Sequence, residues 1–282
     1  MIQKEELSRR LREQNYIFED ELLTVLYVAL VLGRPLLIEG AAGVGKTEVA
    51  KVLAKALDRE LVRLQCYEGL DESKALYEWN YQKQLLAIQM AKDSEQQQLS
   101  SLFSEEYLLE RPLLKSIRSE KSVVLLIDEI DKSDEEFEAF LLELLSELQV
   151  TIPELGTIRA ASRPFVVLTS NNTRPLSEAL RRRCAYLYIP YPTLEKELAI
   201  LSAKLPNLEN HLRLAVAQAV QKLREAEQLI KKPSIAETLD WAGALEALGA
   251  KELDGKTLDA TLGFVLKNEQ DIREVRDNGL LQ

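Results

Sequence analysis

The sequence predicts an α/β fold built on a parallel sheet, followed by a smaller region made only of helices. Three observations predict it. Short apolar runs at Leu36-Leu37-Ile38, Val123-Val124-Leu125-Leu126-Ile127 and Phe165-Val166-Val167-Leu168 have the length and composition of strands buried on both faces, as in a parallel sheet. Each run is followed by polar or glycine-rich residues, and the carboxyl ends of parallel strands face the ligand crevice. Beyond Pro190-Tyr191-Pro192 the apolar spacing is helical to the end of the chain.

The chain has 282 residues and is 46% hydrophobic, enough for an ordinary core and for one large domain or two smaller ones. Thirty-six basic against 46 acidic side chains leave a net charge of -10, which argues against an extended electropositive surface for duplex nucleic acid. A local basic spot stays open. The start, Met1 to Gln14, is charged and helical, so no secretory signal is expected. The longest apolar run, Leu22 to Leu32, is interrupted by Thr24 and falls short of the roughly 20 residues that span a membrane. Cys66 and Cys184 have no metal-ligand spacing, so a reducing, cytoplasmic compartment without a disulfide is expected. The single histidine, His211, leaves little for metal chemistry or a Ser-His-Asp triad and reads as a solvated helix residue.

Residues 3 to 33 read as one or two helices ending at Gly33, with Asn15-Tyr16-Ile17-Phe18 between them as an apolar shelf. In nucleotide-binding folds such a shelf holds the base, and plain core packing explains it as well. Arg34 to Thr47 reads as a buried strand, a glycine-rich turn and a helix whose first turn carries Lys46 and Thr47. Gly40, Ala41, Ala42, Gly43, Val44, Gly45, Lys46 and Thr47 meet the pattern G-x-x-x-x-G-K-[ST]. Its glycines let successive N–H groups point into one hollow, and the helix adds the positive end of its dipole, which makes a cradle for a polyphosphate. Lys46 would reach the β and γ phosphates, and the Thr47 hydroxyl is a hard oxygen ligand for a magnesium ion that keeps most of its water. Val49, Ala50, Val52, Leu53, Ala56 and Leu57 recur behind the turn at helical spacing.

Glu60 to Cys66 reads as a second strand. Tyr77, Trp79 and Tyr81 fall at period two, as on one face of an extended segment; they suit a partner polypeptide, the core or a subunit contact. Residues 82 to 120 alternate helical stretches with the polar run Asp93 to Gln98, expected to be an inserted helical region with a mobile loop. The apolar run 123–127 is followed by Asp128-Glu129-Ile130-Asp131. At the crevice end of a parallel strand, Asp128 is placed to hold magnesium, mostly through its waters, and Glu129 to orient and activate the water that attacks a γ phosphate. The plain alternative is a solvated acidic loop. Ser133-Asp134-Glu135-Glu136 reads as a capping box opening an amphipathic helix through Leu148, and Val150 to Arg159 as a projecting hairpin.

Ser170-Asn171-Asn172 closes the strand 165–169. An amide there can hydrogen-bond both the attacking water and a γ-phosphate oxygen, or the asparagines merely shape the turn. Arg181-Arg182-Arg183 precedes the last strand, Tyr186 to Ile189; the run is either solvated or supplies an arginine to a neighbouring subunit's γ phosphate. Helices follow at Thr193 to Lys204 and about Asn207 to Ile230, then from a capping box at Ser234-Ile235-Ala236-Glu237 toward Leu248, and from about Leu258.

Phosphate loop, apolar strand with Asp-Glu, asparagine-ended strand, arginine before the last strand and helical lid stand in the order of an AAA+ ATPase, and the chain resembles that superfamily over nearly its whole length. Within it the chain resembles the MoxR-type ATPases, and Leu64-Gln65-Cys66-Tyr67-Glu68-Gly69-Leu70-Asp71 with Ala75-Leu76-Tyr77-Glu78-Trp79 is similar to the CoxD-type branch, associated with maturing the metal cluster of carbon monoxide dehydrogenase. The resemblance implies a P-loop NTPase fold: a three-layer αβα domain with a five-stranded parallel sheet over 1–190, carrying a helical insertion at about 80–120 and a hairpin at about 150–159, then an α-helical lid domain over 191–282. It makes Gly40 to Thr47 the Walker A loop, with Glu48 and Ile17 as further nucleotide contacts, Asp128 and Glu129 the Walker B pair, Asn171 sensor 1 and Arg183 the arginine finger, with Arg182 as fallback. It implies ATP and Mg2+, a homo-oligomeric ring, usually of six, a protein client touching the insertion and the hairpin, and a partner carrying a von Willebrand factor A domain. One departure stands out. Where the family often has a sensor 2 arginine in a Ser-x-Arg pattern, this chain has Ser234-Ile235-Ala236; either Lys231 or Lys232 serves the γ phosphate or that contact is absent.

The function expected on this basis is ATP-driven remodelling or maturation of a client protein, possible only on assembly because Arg183 acts in trans. A nucleic-acid-dependent AAA+ motor or clamp-loader relative shares every nucleotide-site residue, and the charge argues against it. A small-molecule P-loop kinase is disfavoured, because the Glu after Asp128 suits water activation.

Overall fold

A computed structural model describes residues 2–91 and 102–281. The expected loop Asp93 to Gln98 lies outside the described residues. The first part of the chain forms α1 (Lys4–Glu13), α2 (Asp20–Leu32), β1 (Leu36–Glu39), α3 (Lys46–Ala56), β2 (Leu61–Gln65), α4 (Glu72–Ala75), β3 (Tyr77–Trp79) and α5 (Tyr81–Ala91). It continues with β4 (Leu108–Glu110), α6 (Pro112–Arg118), β5 (Val124–Asp128), α7 (Glu135–Glu147), β6 (Gln149–Ile152), β7 (Gly156–Arg159), β8 (Phe165–Ser170), α8 (Glu178–Arg183) and β9 (Ala185–Tyr188). Then come α9 (Leu194–Lys204), α10 (Asn210–Glu225), α11 (Ile235–Ala247), α12 (Gly255–Val265) and α13 (Glu269–Asp277). Among the described residues no helix is long and apolar enough to cross a membrane.

The three apolar runs become β1, β5 and β8 of one five-stranded sheet in the order β2-β5-β8-β1-β9, and every pairing in it is parallel. This is the parallel sheet, flanked by helices, that the sequence predicts for a P-loop AAA+ fold. All residues of β1, β5 and β8 are buried, which is why these strands read as unbroken apolar runs. Register brings the strand ends level: Gln65 lies opposite Asp128, Ile127 opposite Leu168, and Glu39 opposite both Ser170 and Tyr188. A row of polar side chains thus lines the carboxyl edge of a sheet whose interior is apolar. On one side β5 and β8 pack with α6 and α7 into a core that includes Leu113, Ile117, Leu141 and Leu144, all without measurable exposure.

Some local expectations shift. Tyr77 and Trp79 stand on β3, which pairs antiparallel with β4 about thirty residues on, so the insertion holds a two-stranded sheet as well as helix. The period-two aromatics mark β3, whereas its three-residue partner, so distant in sequence, leaves no local signature. Tyr81 is not on that extended segment; it opens α5 and is 61% exposed. The cap of α7 is Asp134, whose carboxylate accepts from the Phe137 amide, while the Ser133 hydroxyl donates to the Ile130 carbonyl. The hairpin of β6 and β7 and the capping box at Ser234 form as expected.

The chain divides into two compact units. One holds the chain up to Gln14, Asp20–Glu39 and Thr47–Tyr188; the other holds Asn15–Glu19, Gly40–Lys46 and the chain from Ile189. The second unit has its own apolar core around the fully buried Trp241, with Leu212, Val216, Leu245 and Leu262. An ion pair is buried at its centre. Arg224 donates to both oxygens of Glu197 at 2.8 Å, and the residues' side chains are 6% and 0% exposed. Thr238 and Gln221 complete the carboxylate's partners at 2.7 and 2.8 Å, and Arg224 Nε donates to the Pro233 carbonyl at 2.8 Å. A pair so enclosed welds α9, α10 and α11 together.

Arg224→Ala would leave Glu197 charged, buried and uncompensated, which costs about 3–5 kcal/mol. Urea unfolding followed by Trp241 fluorescence in a Trp79→Phe background is expected to show a loss of that order. A transition within about 1 kcal/mol of the parent would show the pair to be dispensable.

Candidate functional site

The turn after β1 is shaped for close backbone approach. Gly43 and Gly45 have φ of 78° and 96°, a region that side chains disfavour. A Cβ on Gly43 would overlap the Ser234 side chain, one on Gly40 would overlap the Ile189 carbonyl, and one on Gly45 would meet nothing within 4 Å. The Ala236 amide donates to the Gly43 carbonyl at 3.4 Å, so the start of α11 seats directly on the turn. Lys46 is 6% exposed, and its ammonium donates to the carbonyls of Gly40 and Ala41 at 2.8 and 2.7 Å, so its charge is curled into the turn. Ile17 is half-buried between Tyr16 and Phe18, whose rings stack at 6.1 Å, in the same compact unit as the turn. Glu48 lies 3.7 Å from Lys51 on α3. Ala236 stands where the Ser-x-Arg pattern has its arginine, and of the two candidate substitutes Lys231 is paired with Glu237 at 3.1 Å.

Across the sheet edge, Thr47, Asp128, Glu129 and Asn171 come together. Asp128 is 2% exposed, and its Oδ1 accepts from the hydroxyls of Thr47 at 3.0 Å and Thr169 at 2.5 Å. Its Oδ2 accepts from Nε and Nη2 of Arg63 at 3.1 and 2.6 Å. Glu129 adopts a left-handed backbone, φ 57° and ψ 50°, which in a non-glycine residue costs on the order of 1–3 kcal/mol and concentrates at functional sites. Its amide donates to Thr169 Oγ1 at 2.9 Å, which holds the turn. The Glu129 carboxylate accepts from Gln65 Nε2 at 3.0 Å and Asn171 Nδ2 at 3.4 Å and pairs with Lys132 at 2.6 Å. A carboxylate and an amide are therefore within hydrogen-bond reach of each other, a pair able to hold one water between them.

Several of these residues are missing from the sequence-based site. Arg63 and Gln65 sit at alternate positions of a strand read only as apolar; their period-two spacing was the available signal. Asp131, third acid of the Asp-Glu-Ile-Asp run, organises the loop that carries Asn171: it accepts from the amides of Asn171 and Thr173 and from the Thr173 hydroxyl at 2.7 Å. Burial, the largest single influence, pushes the Asp131 carboxyl up, and the Thr173 and Asn171 donors together outweigh it, leaving it below its ordinary value. Cys66, next to Gln65, is a free buried thiol pushed up to about 12 by burial and by the charges of Asp128, Asp131 and Glu129.

The three arginines part ways. Arg181 donates to the buried Glu39 at 2.6 Å, which holds its guanidinium charged, and Tyr186 OH donates to the other Glu39 oxygen at 2.9 Å. Arg182 pairs with Glu178 on its own helix and is 77% exposed. Arg183 donates to Ser146 Oγ at 2.6 Å and to the Ala179 carbonyl at 3.0 Å.

The donor set fits a magnesium ion: a hydroxyl and a carboxylate oxygen 3.0 Å apart are hard ligands for an ion that fills its other positions with water and phosphate. Among the described residues no group of three or more His, Cys, Asp and Glu is arranged to hold a metal, so a cation here would depend on such partners.

Because the Asp131 carboxyl is held below its ordinary value, the stability it contributes is present at neutral pH and is lost as pH falls below about 4. Asp131→Asn is expected to lower unfolding stability at pH 7 by about 1–3 kcal/mol. The gap to the parent should narrow in the same measurement as pH falls below about 4. A gap independent of pH would show that the carboxylate charge is not what holds the loop.

The model of the AAA domain (dynein-related subfamily) matches residues 35–184, more than half of the chain. An uncharacterized protein of Staphylococcus haemolyticus is 28% identical over 166 residues, which are 57% of each chain. One of Staphylococcus aureus is 26% identical over the same length and shares. This chain thus spans little more than half the length of these curated relatives. Among solved structures, a RuvB variant from Thermotoga maritima superposes with a TM-score of 0.50 at 20% identity, covering 96% of this chain and 73% of that one. A Cytophaga hutchinsonii protein assigned as an ATPase does so with a TM-score of 0.52 at 20% identity, covering 96% of this chain and 84% of that one. At such identities these likenesses concern the fold alone. With the family model matched across the phosphate turn, the Asp-Glu strand and the asparagine-ended strand, the chain belongs to the dynein-related subfamily of AAA domains, within the AAA+ ATPases.

Proposed function

We propose that this protein is a MoxR-type AAA+ ATPase of the CoxD-like branch that couples ATP hydrolysis to the remodelling or maturation of a client protein. Metal-cluster maturation of a molybdenum hydroxylase such as carbon monoxide dehydrogenase is the client chemistry that the resemblance implies. The observation that carries the ATPase reading is the meeting of Thr47, Asp128, Glu129 and Asn171 at the carboxyl edge of a parallel sheet, with Thr47 3.0 Å from Asp128 and Asn171 3.4 Å from Glu129.

In this reading the amides of residues 40–45 and the Lys46 ammonium bind the β and γ phosphates, and Ile17 and Glu48 contact the nucleotide. Thr47 and Asp128 hold Mg2+, which supplies neutralisation of phosphate charge. Glu129 takes the proton of the attacking water, and the Asn171 amide keeps that water and the carboxylate aligned. Arg183, with Arg182 as fallback, stabilises transition-state charge in a neighbouring protomer's site, which makes activity depend on a ring, expected to be hexameric. The exposure of both side chains at the end of α8 supports that role. Residues 191–282 act as the lid domain, without a sensor 2 arginine.

The insertion and the hairpin of β6 and β7 are the proposed client contacts. Tyr81, Leu85 and Leu86 on α5 are 61%, 59% and 59% exposed, an apolar face that a polypeptide would cover. A partner with a von Willebrand factor A domain and a cytoplasmic setting complete the proposal. The net charge of -10 weighs against a nucleic-acid motor.

Glu129→Gln is expected to bind ATP and to hydrolyse it about 10²–10⁴-fold more slowly, as loss of a general base predicts. Undiminished turnover would remove Glu129 from the reaction. Arg183→Ala is expected to bind ATP but to hydrolyse little. Mixing it with Glu129→Gln protomers should restore part of the phosphate release, because some seams then combine an intact Glu129 with an intact Arg183. Absence of recovery in mixed assemblies would count against a shared site.

A further inference from the structure

The Asp128 carboxylate already has a cation beside it. Arg63 Nη2 lies 2.6 Å from Oδ2 and Nε 3.1 Å from the same atom, while Oδ1 is taken by Thr47 and Thr169. Strand geometry puts the arginine there. Arg63 sits two pairs before the Gln65–Asp128 pairing, on the opposite strand face from the buried Val62 and Leu64, and its side chain runs along the edge of β2 to the end of β5. The two partners differ in access to water: Asp128 is 2% exposed and the Arg63 side chain 48%. Asp128 therefore needs a counter-charge at all times, whereas the guanidinium can turn into solvent at small desolvation cost. The contact is also not confined to one carboxylate, because Arg63 Nη2 donates to Gln65 Oε1, and Gln65 Nε2 donates to Glu129.

From this we infer that Arg63 is a positioning residue that acts as a built-in counter-cation: it occupies Asp128 until a divalent cation, arriving with nucleotide, displaces it. The inference rests on the nucleotide-site reading above. A positive charge on Oδ2 repels a divalent ion approaching the same carboxylate and uses lone pairs that the ion's water shell needs. The two occupancies oppose each other by linkage, so Arg63 raises the cation concentration at which the site fills. In its resting place it keeps the buried carboxylate neutralised, and through Gln65 it holds Glu129 in one orientation.

The test uses the full chain, excess ADP and Mn2+ as the probe, with bound Mn2+ read by electron paramagnetic resonance, so that no turnover enters the measurement. Arg63→Met keeps the apolar stem and removes the charge; its half-saturation is expected at about ten-fold lower Mn2+ than the parent. Arg63→Lys keeps a cation there and is expected within about three-fold of the parent. An unchanged or raised midpoint in Arg63→Met overturns the inference, since a merely structural arginine would weaken the cation site when lost. A fall in Arg63→Lys as large as in Arg63→Met overturns it too. A measurement on the parent chain covers the case in which Arg63→Met does not fold: phenylglyoxal labelling of Arg63, mapped by peptide mass, is expected to be faster with Mn2+ and ADP than with ADP alone. Labelling that is not accelerated overturns the inference. If the parent binds no ADP, the nucleotide-site reading falls and this inference with it; ADP binding with the wrong Mn2+ order removes this inference alone.

Discussion

A carboxylate cut off from water must be paired, and Asp128 shows how much of this structure follows from that requirement. It ends β5, is 2% exposed, and takes its partners from three elements: Thr47 of α3, Thr169 of β8 and Arg63 of β2. Satisfying it fixes β2 and β8 on either side of β5 and draws the first turn of α3 against the strand end. Leaving so buried a carboxylate short of a hydroxyl donor costs about 1–3 kcal/mol, so Thr47 and Thr169 hold the strand end firmly, while Arg63, with its side chain 48% exposed, is the exchangeable partner. The same atoms offer the hard oxygens that a hydrated divalent cation requires. Structural need and candidate chemistry thus coincide in one side chain.

The next residue bears the strain. Glu129 turns left-handed directly after the strand, and this lifts its carboxylate out of the sheet and toward Gln65 and Asn171. Asp131 then binds the loop after β8 through the amides of Asn171 and Thr173, so the loop bearing the candidate base and the loop bearing the candidate amide are tied to each other. A site assembled from two loops would ordinarily be loose. Here a buried carboxylate with three donors locks the two together, which is the preorganisation that general base chemistry needs.

The arginine run shows why a charge cluster cannot be read as a unit. Successive residues on a helix point about 100° apart, so Arg181, Arg182 and Arg183 of α8 face three environments. Arg181 neutralises Glu39, a buried carboxylate at the end of β1; Arg182 meets water; Arg183 reaches Ser146 at the end of α7. Only Arg181 answers a buried carboxylate; Arg182 and Arg183 bond exposed partners of their own fold. In the helical unit Arg224 is likewise committed to the buried Glu197, while Lys231, half exposed, pairs with Glu237.

The sequence alone made legible the sheet, the glycine-rich turn, and the place of Asp128, Glu129 and Asn171 at the strand ends. It could do so because unbroken apolar strands, glycines before Lys46-Thr47 and acids after a buried strand are local patterns with a local physical cause. Tertiary structure alone decided that Arg63 and Gln65 join the site, that Asp131 organises the neighbouring loop, that β3 pairs with β4, and which arginine Glu39 consumes. In each of these cases the partner lies tens of residues away, as with Arg63 and Asp128 or Arg181 and Glu39. A residue's type and spacing reveal that it is polar and on a strand or helix. Which buried charge it answers is decided only when the sheet closes and each desolvated group has to find its counterpart.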